Sequence, residues 1–148
     1  MPELLSKHPH GRGISAVIIA GGRSNRMGEE KAFLTISGKS IVARVIERLT
    51  PQVTTVVINS NGPAARFADI GHAVIPDLRN DVGTPLAGLH AALVWARSEG
   101  CYAVLTVPCY CPFLPPDVVS RLAAGELPAV ASSGGQTHFL TDLWPTGH

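Results

Sequence analysis

The stretch from Ala16 to Lys31, AVIIAGGRSNRMGEEK, constrains the fold of this chain more than any other. Ala16 to Ala20 is a short apolar run with β-branched residues, the pattern of a strand covered on both faces. Gly21 and Gly22 follow at once, where the missing Cβ lets the backbone turn sharply and present its N–H groups to a ligand. Arg23, Arg26 and Lys31 come close behind, cations suited to polyanionic oxygens. Open α/β sheets bind ligands where a strand delivers such a turn at its carboxyl end. The competing reading is an ordinary turn with surface cations. Two standard phosphate motifs are absent: Glu29 after Gly28 breaks the GxxxxGK[ST] spacing, and there is no GxGxxG.

Further along, apolar runs alternate with helical spacing. Ala32 to Ile36 reads as a short extended piece before a Ser37-Gly38-Lys39 turn, and Ser40 as the N-cap of a helix from Ile41 to Leu49. Ile41, Val42, Val45, Ile46 and Leu49 give that helix one buried face, and Pro51 helps to stop it. Strands are expected over Thr54 to Ile58, Ala73 to Ile75 and Tyr102 to Val107, with a weak helix over Ala64 to Asp69. Thr84 and Pro85 open a helix running to Arg97, whose Ala87, Gly88, Ala91 and Ala92 would let it pack closely on a sheet. A short helix from Pro116 to Ala123, a strand over Ala129 to Ala131 and an edge strand over residues 138 to 144 complete the pattern. Alternating strands and helices with short links imply one mostly parallel sheet covered on both faces.

The chemistry-bearing residues fall at the carboxyl ends of these strands. Gly21-Gly22 follows the first, Asn59 the second, Asp77 the third and Pro108-Cys109-Tyr110-Cys111 the fourth, so they are expected to form one composite site. Asn59 either reads a base edge, having both a donor and an acceptor, or is a turn residue in Asn-Ser-Asn-Gly. Asp77 either caps a turn or belongs to the site. Cys109 and Cys111 form a Cys-x-Cys, but no second Cys or His pair stands at metal-site spacing. His8 and His10 lie in a lead-in segment and are read as binding nothing.

With 148 residues, 45% hydrophobic and 16% charged, the chain is read as a single globular domain. A formal charge of +1 provides no basic field for nucleic acid, and no apolar run approaches the ~20 residues that span a bilayer. Three cysteines without a signal segment point to free thiols in the cytoplasm.

Three segments then carry a resemblance. AGGRSNRMGEEKAFLTISGKSI resembles the signature loop of the sugar-nucleotide and cofactor nucleotidyltransferases, while DVGTPLAGLHAAL and VPCYCPFLPPDVV resemble one branch of them, the molybdenum cofactor guanylyltransferases. The resemblance covers about residues 14 to 145. It implies a Rossmann-like three-layer α/β/α sandwich with a mostly parallel sheet, preceded by a flexible segment over residues 1–13 and incomplete in its C-terminal part. It further implies transfer of GMP from GTP to molybdopterin with loss of pyrophosphate and Mg²⁺ as cofactor. Transient contacts with cofactor-assembly proteins are implied as well. Arg26 and Lys31 would hold the triphosphate, and Ile19, Ala20, Gly21 and Gly22 would line the nucleotide. Asn59, Asp77 and Tyr110 would complete the nucleotide site, with Asp77 as a metal ligand.

The chain departs from the family pattern in four places. Tyr110 stands where the family carries a metal-binding Asp, and the chain stops where family members continue for several elements. Thr137-His138-Phe139 replaces the usual His-Pro pairing, and Asp142 replaces an apolar or small residue. Asp142 is expected to be solvated and His138 to face the pterin pocket or to be structural. Two other readings stay open: a catalytically impaired nucleotide-binding relative, and a nucleotidyltransferase for another acceptor, cytidylyl or sugar phosphate.

Overall fold

The computed structural model describes residues 13–20, 34–60, 71–76, 78, 85–109, 114–124, 129–133 and 136–146. Its inner strand is β1 (Ile14–Ile19), every residue of which is buried. Parallel to β1 on one side runs β4 (Val56–Asn59), with Ala16 opposite Val56 and Ile19 opposite Asn59. On the other side β6 (Ala103–Pro108) is also parallel, placing Ile14 opposite Ala103 and Ile19 opposite Pro108. The two-residue β5 (Val74–Ile75) extends the sheet beyond β4, again in parallel. Beyond β6 the direction reverses: β8 (Gln136–Pro145) pairs antiparallel with β6, and β7 (Ala129–Ser133) antiparallel with β8. The order is thus β5-β4-β1-β6-β8-β7, four parallel strands followed by two joined through antiparallel pairings, of which only β8 runs against the rest.

Helices cover both faces, which is why the strands read as continuous apolar runs. One face carries Ile14, Ala16, Ile18, Ile58, Leu105 and Leu143 under two helices, α1 (Ile41–Leu49) and α3 (Val118–Ala123). The other carries Val17, Ile19, Val57 and Val104 under α2 (Pro85–Ser98). This is the three-layer arrangement expected from the alternating pattern. One expectation fails: the 138–144 segment is not an edge strand. It belongs to β8, which lies inside the sheet because β7 folds back outside it. The expected helix over 64–69 lies outside the described residues, as do the first twelve residues.

Each helix has a local reason for its limits. Ser40 caps α1, its Oγ accepting from the Ala43 N–H at 3.2 Å, and Val42, Val45, Ile46 and Leu49 are buried as their spacing requires. A small hairpin precedes it, β2 (Thr35–Ile36) against β3 (Lys39–Ser40). Its turn puts both Ser37 (φ 53°) and Gly38 (φ 82°) at positive φ, the two-residue geometry that matches strand twist. The hairpin is tied to α1 by Lys39 to Glu47 and by Arg44 donating to the Ile36 carbonyl. At the end of α2, Gly100 adopts φ 75°. Its N–H bonds Arg97 O at 3.1 Å and that of Cys101 bonds Ala96 O at 3.0 Å, a Schellman stop.

The small residues of α2 matter most at Gly88. A Cβ there would stand 2.7 Å from Asn59 Oδ1 and 2.9 Å from Ile19 Cγ2. The backbone of α2 therefore rides directly over the carboxyl ends of β1 and β4.

Gln52, buried at 1% exposure, does for α3 what the helix does not do for itself. Asp117 at the N-cap makes no side-chain capping bond. Gln52 Oε1 instead accepts from the Val119 N–H at 3.0 Å. Its Nε2 donates to Arg48 O at 2.8 Å and to Pro115 O at 3.2 Å. One amide so joins the end of α1 to the start of α3.

Two outcomes follow from this packing. Gln52→Leu strands several buried polar groups and is expected to cost about 2–4 kcal/mol in urea unfolding, whereas a loss within 0.5 kcal/mol would mean the clasp is idle. Gly88→Ala gains about 1 kcal/mol of helix propensity but overpacks a filled spot by about 1–3 kcal/mol. It should therefore destabilise, and Ile19→Val, which removes a methyl group near the clash, should recover part of the loss in the double variant.

Candidate functional site

Strand order fixes where a ligand would sit. From β1 the chain turns to the β4 side, while β6 lies on the other flank and is reached from β5 through α2, across the opposite face. The order reverses at β1, and the crevice outside the carboxyl ends at such a reversal is the binding position of open α/β sheets.

The described residues show how these ends are held level. The Ala20 N–H donates to Asn59 O at 2.8 Å, the Ser60 N–H to Ile75 O at 3.0 Å and the Cys109 N–H to Ile19 O at 3.2 Å. These bonds extend the ladder by one rung across β5, β4, β1 and β6, so the four strands leave the sheet side by side. Ile19 and Ala20 are both buried, and the first turns of α2 lie above them through Gly88. Of the residues assigned to the site, Gly21, Gly22, Arg26, Lys31, Asp77 and Tyr110 lie outside the described residues.

Asn59 has 0% exposure, and its Nδ2 donates to Ile75 O at 3.3 Å. Seated under Gly88, the side chain locks β4 to β5 at the rim. Cys109, like Cys101, is buried. Among the described residues no cluster of three or more His, Cys, Asp or Glu could hold a metal ion. No helix among them is long and apolar enough to cross a membrane.

Asp142 corrects an expectation. It is not solvated but 5% exposed, opposite Thr106 on β6, two pairs below the rim formed by Ile19 and Pro108. Its Oδ1 is buried and has no hydrogen-bond partner among the described residues. Burial raises its carboxyl from the ordinary 3.8 to about 6. The alternation of β8, with Leu143 in one core and Trp144 against the other, already held the signal. In a sheet covered on both faces, neither side of a strand meets water.

Comparison with known proteins agrees with this architecture. Residues 16–147 match the MobA-like NTP transferase domain. The chain is 44% identical over 132 residues to a protein of Rhodobacter capsulatus named molybdenum cofactor guanylyltransferase, covering 88% of this chain and 68% of that one. It is likewise 44% identical over 138 residues to the protein of that name from Rhodopseudomonas palustris, covering 88% and 66%. The chain thus spans about two thirds of the length of the curated relatives it matches. Among solved structures, molybdopterin-guanine dinucleotide biosynthesis protein A from Archaeoglobus fulgidus superposes with a TM-score of 0.67 at 23% identity, over 89% of this chain and 67% of that one. By the match of nearly its whole length, and with the parallel strands and rim that such a domain needs, the chain belongs to the MobA-like NTP transferase family.

Proposed function

We propose that this chain transfers GMP from GTP to molybdopterin, forming the guanine dinucleotide cofactor and releasing pyrophosphate. The observation that carries the reading is the 41–46% identity, over nearly nine tenths of the chain, to curated relatives named molybdenum cofactor guanylyltransferase. In this reaction a terminal phosphate oxygen of the acceptor attacks the α-phosphorus of GTP, and the bond to the β-phosphate oxygen breaks. No covalent help from the protein is required; alignment and neutralisation of crowded charge are.

The level rim of β5, β4, β1 and β6 supports that role, because it holds Ile19 and Ala20 at the carboxyl end of β1, and in this proposal they and the following Gly21 and Gly22 line the nucleotide. Arg26 and Lys31, in the loop that leaves β1, neutralise the triphosphate. Asn59, fixed between Ile75 and Gly88, bounds the guanosine side. Asp77, following β5, is the remaining polar group of the nucleotide site.

Mg²⁺ takes hard oxygen ligands, commonly one or two carboxylates with substrate phosphates and water. Asp77 supplies one such carboxylate in this proposal, while the neutral phenol of Tyr110 is a poor second ligand. When bound, the ion would offset charge on the phosphates. A second reading follows from Tyr110: a nucleotide-binding relative with little turnover. We place the protein in the cytoplasm, a reading that its low cysteine count supports.

Pyrophosphate release should require GTP and molybdopterin together, and CTP should not replace GTP. Tyr110→Asp should raise Mg²⁺-dependent turnover; tight GTP binding indifferent to Mg²⁺, with no product from either form, would favour the second reading. Lys31→Met should weaken GTP binding by at least tenfold in calorimetry, and unchanged affinity would remove the triphosphate cradle on which the assignment stands.

A further inference from the structure

Asp142 is the only buried carboxylic acid among the described residues, and nothing in the proposed reaction uses it. It lies on β8 between β6, where it faces Thr106, and β7, where it faces Val130. The next β7 residue, Ala131, pairs with His138, so residues 139–141 of β8 have no counterpart and the ladder breaks directly beside Asp142. Outside that break lies the edge of the sheet.

Among the described residues no charge is set against the carboxyl. From β6 it meets Thr106, whose Oγ1 reaches only the main-chain oxygen of Asp142 at 3.5 Å, and β6 has no ionisable side chain. The sequence of β7, AVASS, has none either. On its own strand the nearest titratable residue is His138, beyond the irregularity. The helix on its face, α2, brings His90, which is exposed, and Arg97 in its last turn. The helix on the opposite face, α3, has Arg121, engaged with Asp117 at 3.9 Å. Burial alone shifts the group.

We propose that Asp142 is a proton-operated latch for the arm formed by β7 and the outer part of β8: neutral, it leaves the arm paired with the inner part of β8, and charged, it drives the arm to open at residues 139–141. A buried charge with no partner is costly, and its cheapest relief is local opening where the ladder is already broken. The seated arm holds the proton more tightly than the open one. Seating is therefore strongest below the ordinary carboxylate range, weakens as pH rises, and levels off above about 6. Between pH 5.0 and 7.5 the opening equilibrium should shift by about tenfold. The latch does not depend on which reaction the rim supports.

Hydrogen–deuterium exchange of the full chain at pH 5.0 and 7.5, corrected for intrinsic rates, tests this. Amides of β7 and β8 should show the tenfold increase in opening, those of β1 and β4 should not, and Asp142→Asn should abolish the difference. The proposal is overturned if the Asn variant keeps the response of the parent, or if the response is uniform across all strands. A second measurement needs no variant: the Asp142 carboxyl, followed by NMR in the unaltered chain, should titrate well above the ordinary range, and a midpoint near 3.8 would also overturn it.

Discussion

The placement of β1 between two parallel partners is the constraint on which the rest of this molecule depends. Hydrogen-bonded to β4 on one side and β6 on the other, and covered on both faces, β1 has no route to water except through its ends. Its apolar side chains stabilise the layers at roughly 1.5–3 kcal/mol for each large residue buried. Its backbone polar groups are satisfied only if both neighbours are in register. The chain must therefore leave β1 at a fixed point, and that point is the rim. A ligand site at the end of such a strand inherits its rigidity from the core.

The two faces of the sheet achieve closeness to the rim in different ways. Under α1 and α3 the contact is made by large aliphatic side chains, and the two helices are joined through the amide of Gln52. Under α2, alanines and one glycine, flanked by the larger Leu93 and Trp95, bring helix backbone within reach of Ile19 and Asn59. That asymmetry leaves bulk on the side of the sheet that needs only stability. It leaves a thin, closely fitted wall on the side of α2, where the rim is roofed.

Much of this was legible in the residues. The β-branched runs, the Ser40 cap, the spacing of α1 and the small residues of α2 each have one physical meaning, and the structure bears them out. The convergence of strand ends also follows from alternation and short links. What sequence could not give was the return of β7 outside β8, because a hairpin's place in a sheet depends on partners remote in the chain. The burial of Asp142 was missed for a related reason: an acid in an apolar strand normally marks the wet face, and this strand has none. Gln52 left no local signal, since its partners at Pro115 and Val119 are brought to it only by the tertiary fold.

The pairing of Ile14 with Ala103 has a consequence for how the molecule is made. The innermost strand is made well before β6, one of its two hydrogen-bonding neighbours, with β4, β5 and two helices coming between them. Until then an apolar strand with an open ladder edge waits without its mate, and closure must draw in a very long intervening loop. Nascent chains of this topology are accordingly vulnerable to wrong association until β6 emerges, and a slow stretch of synthesis just before β6 would prolong that exposure rather than relieve it.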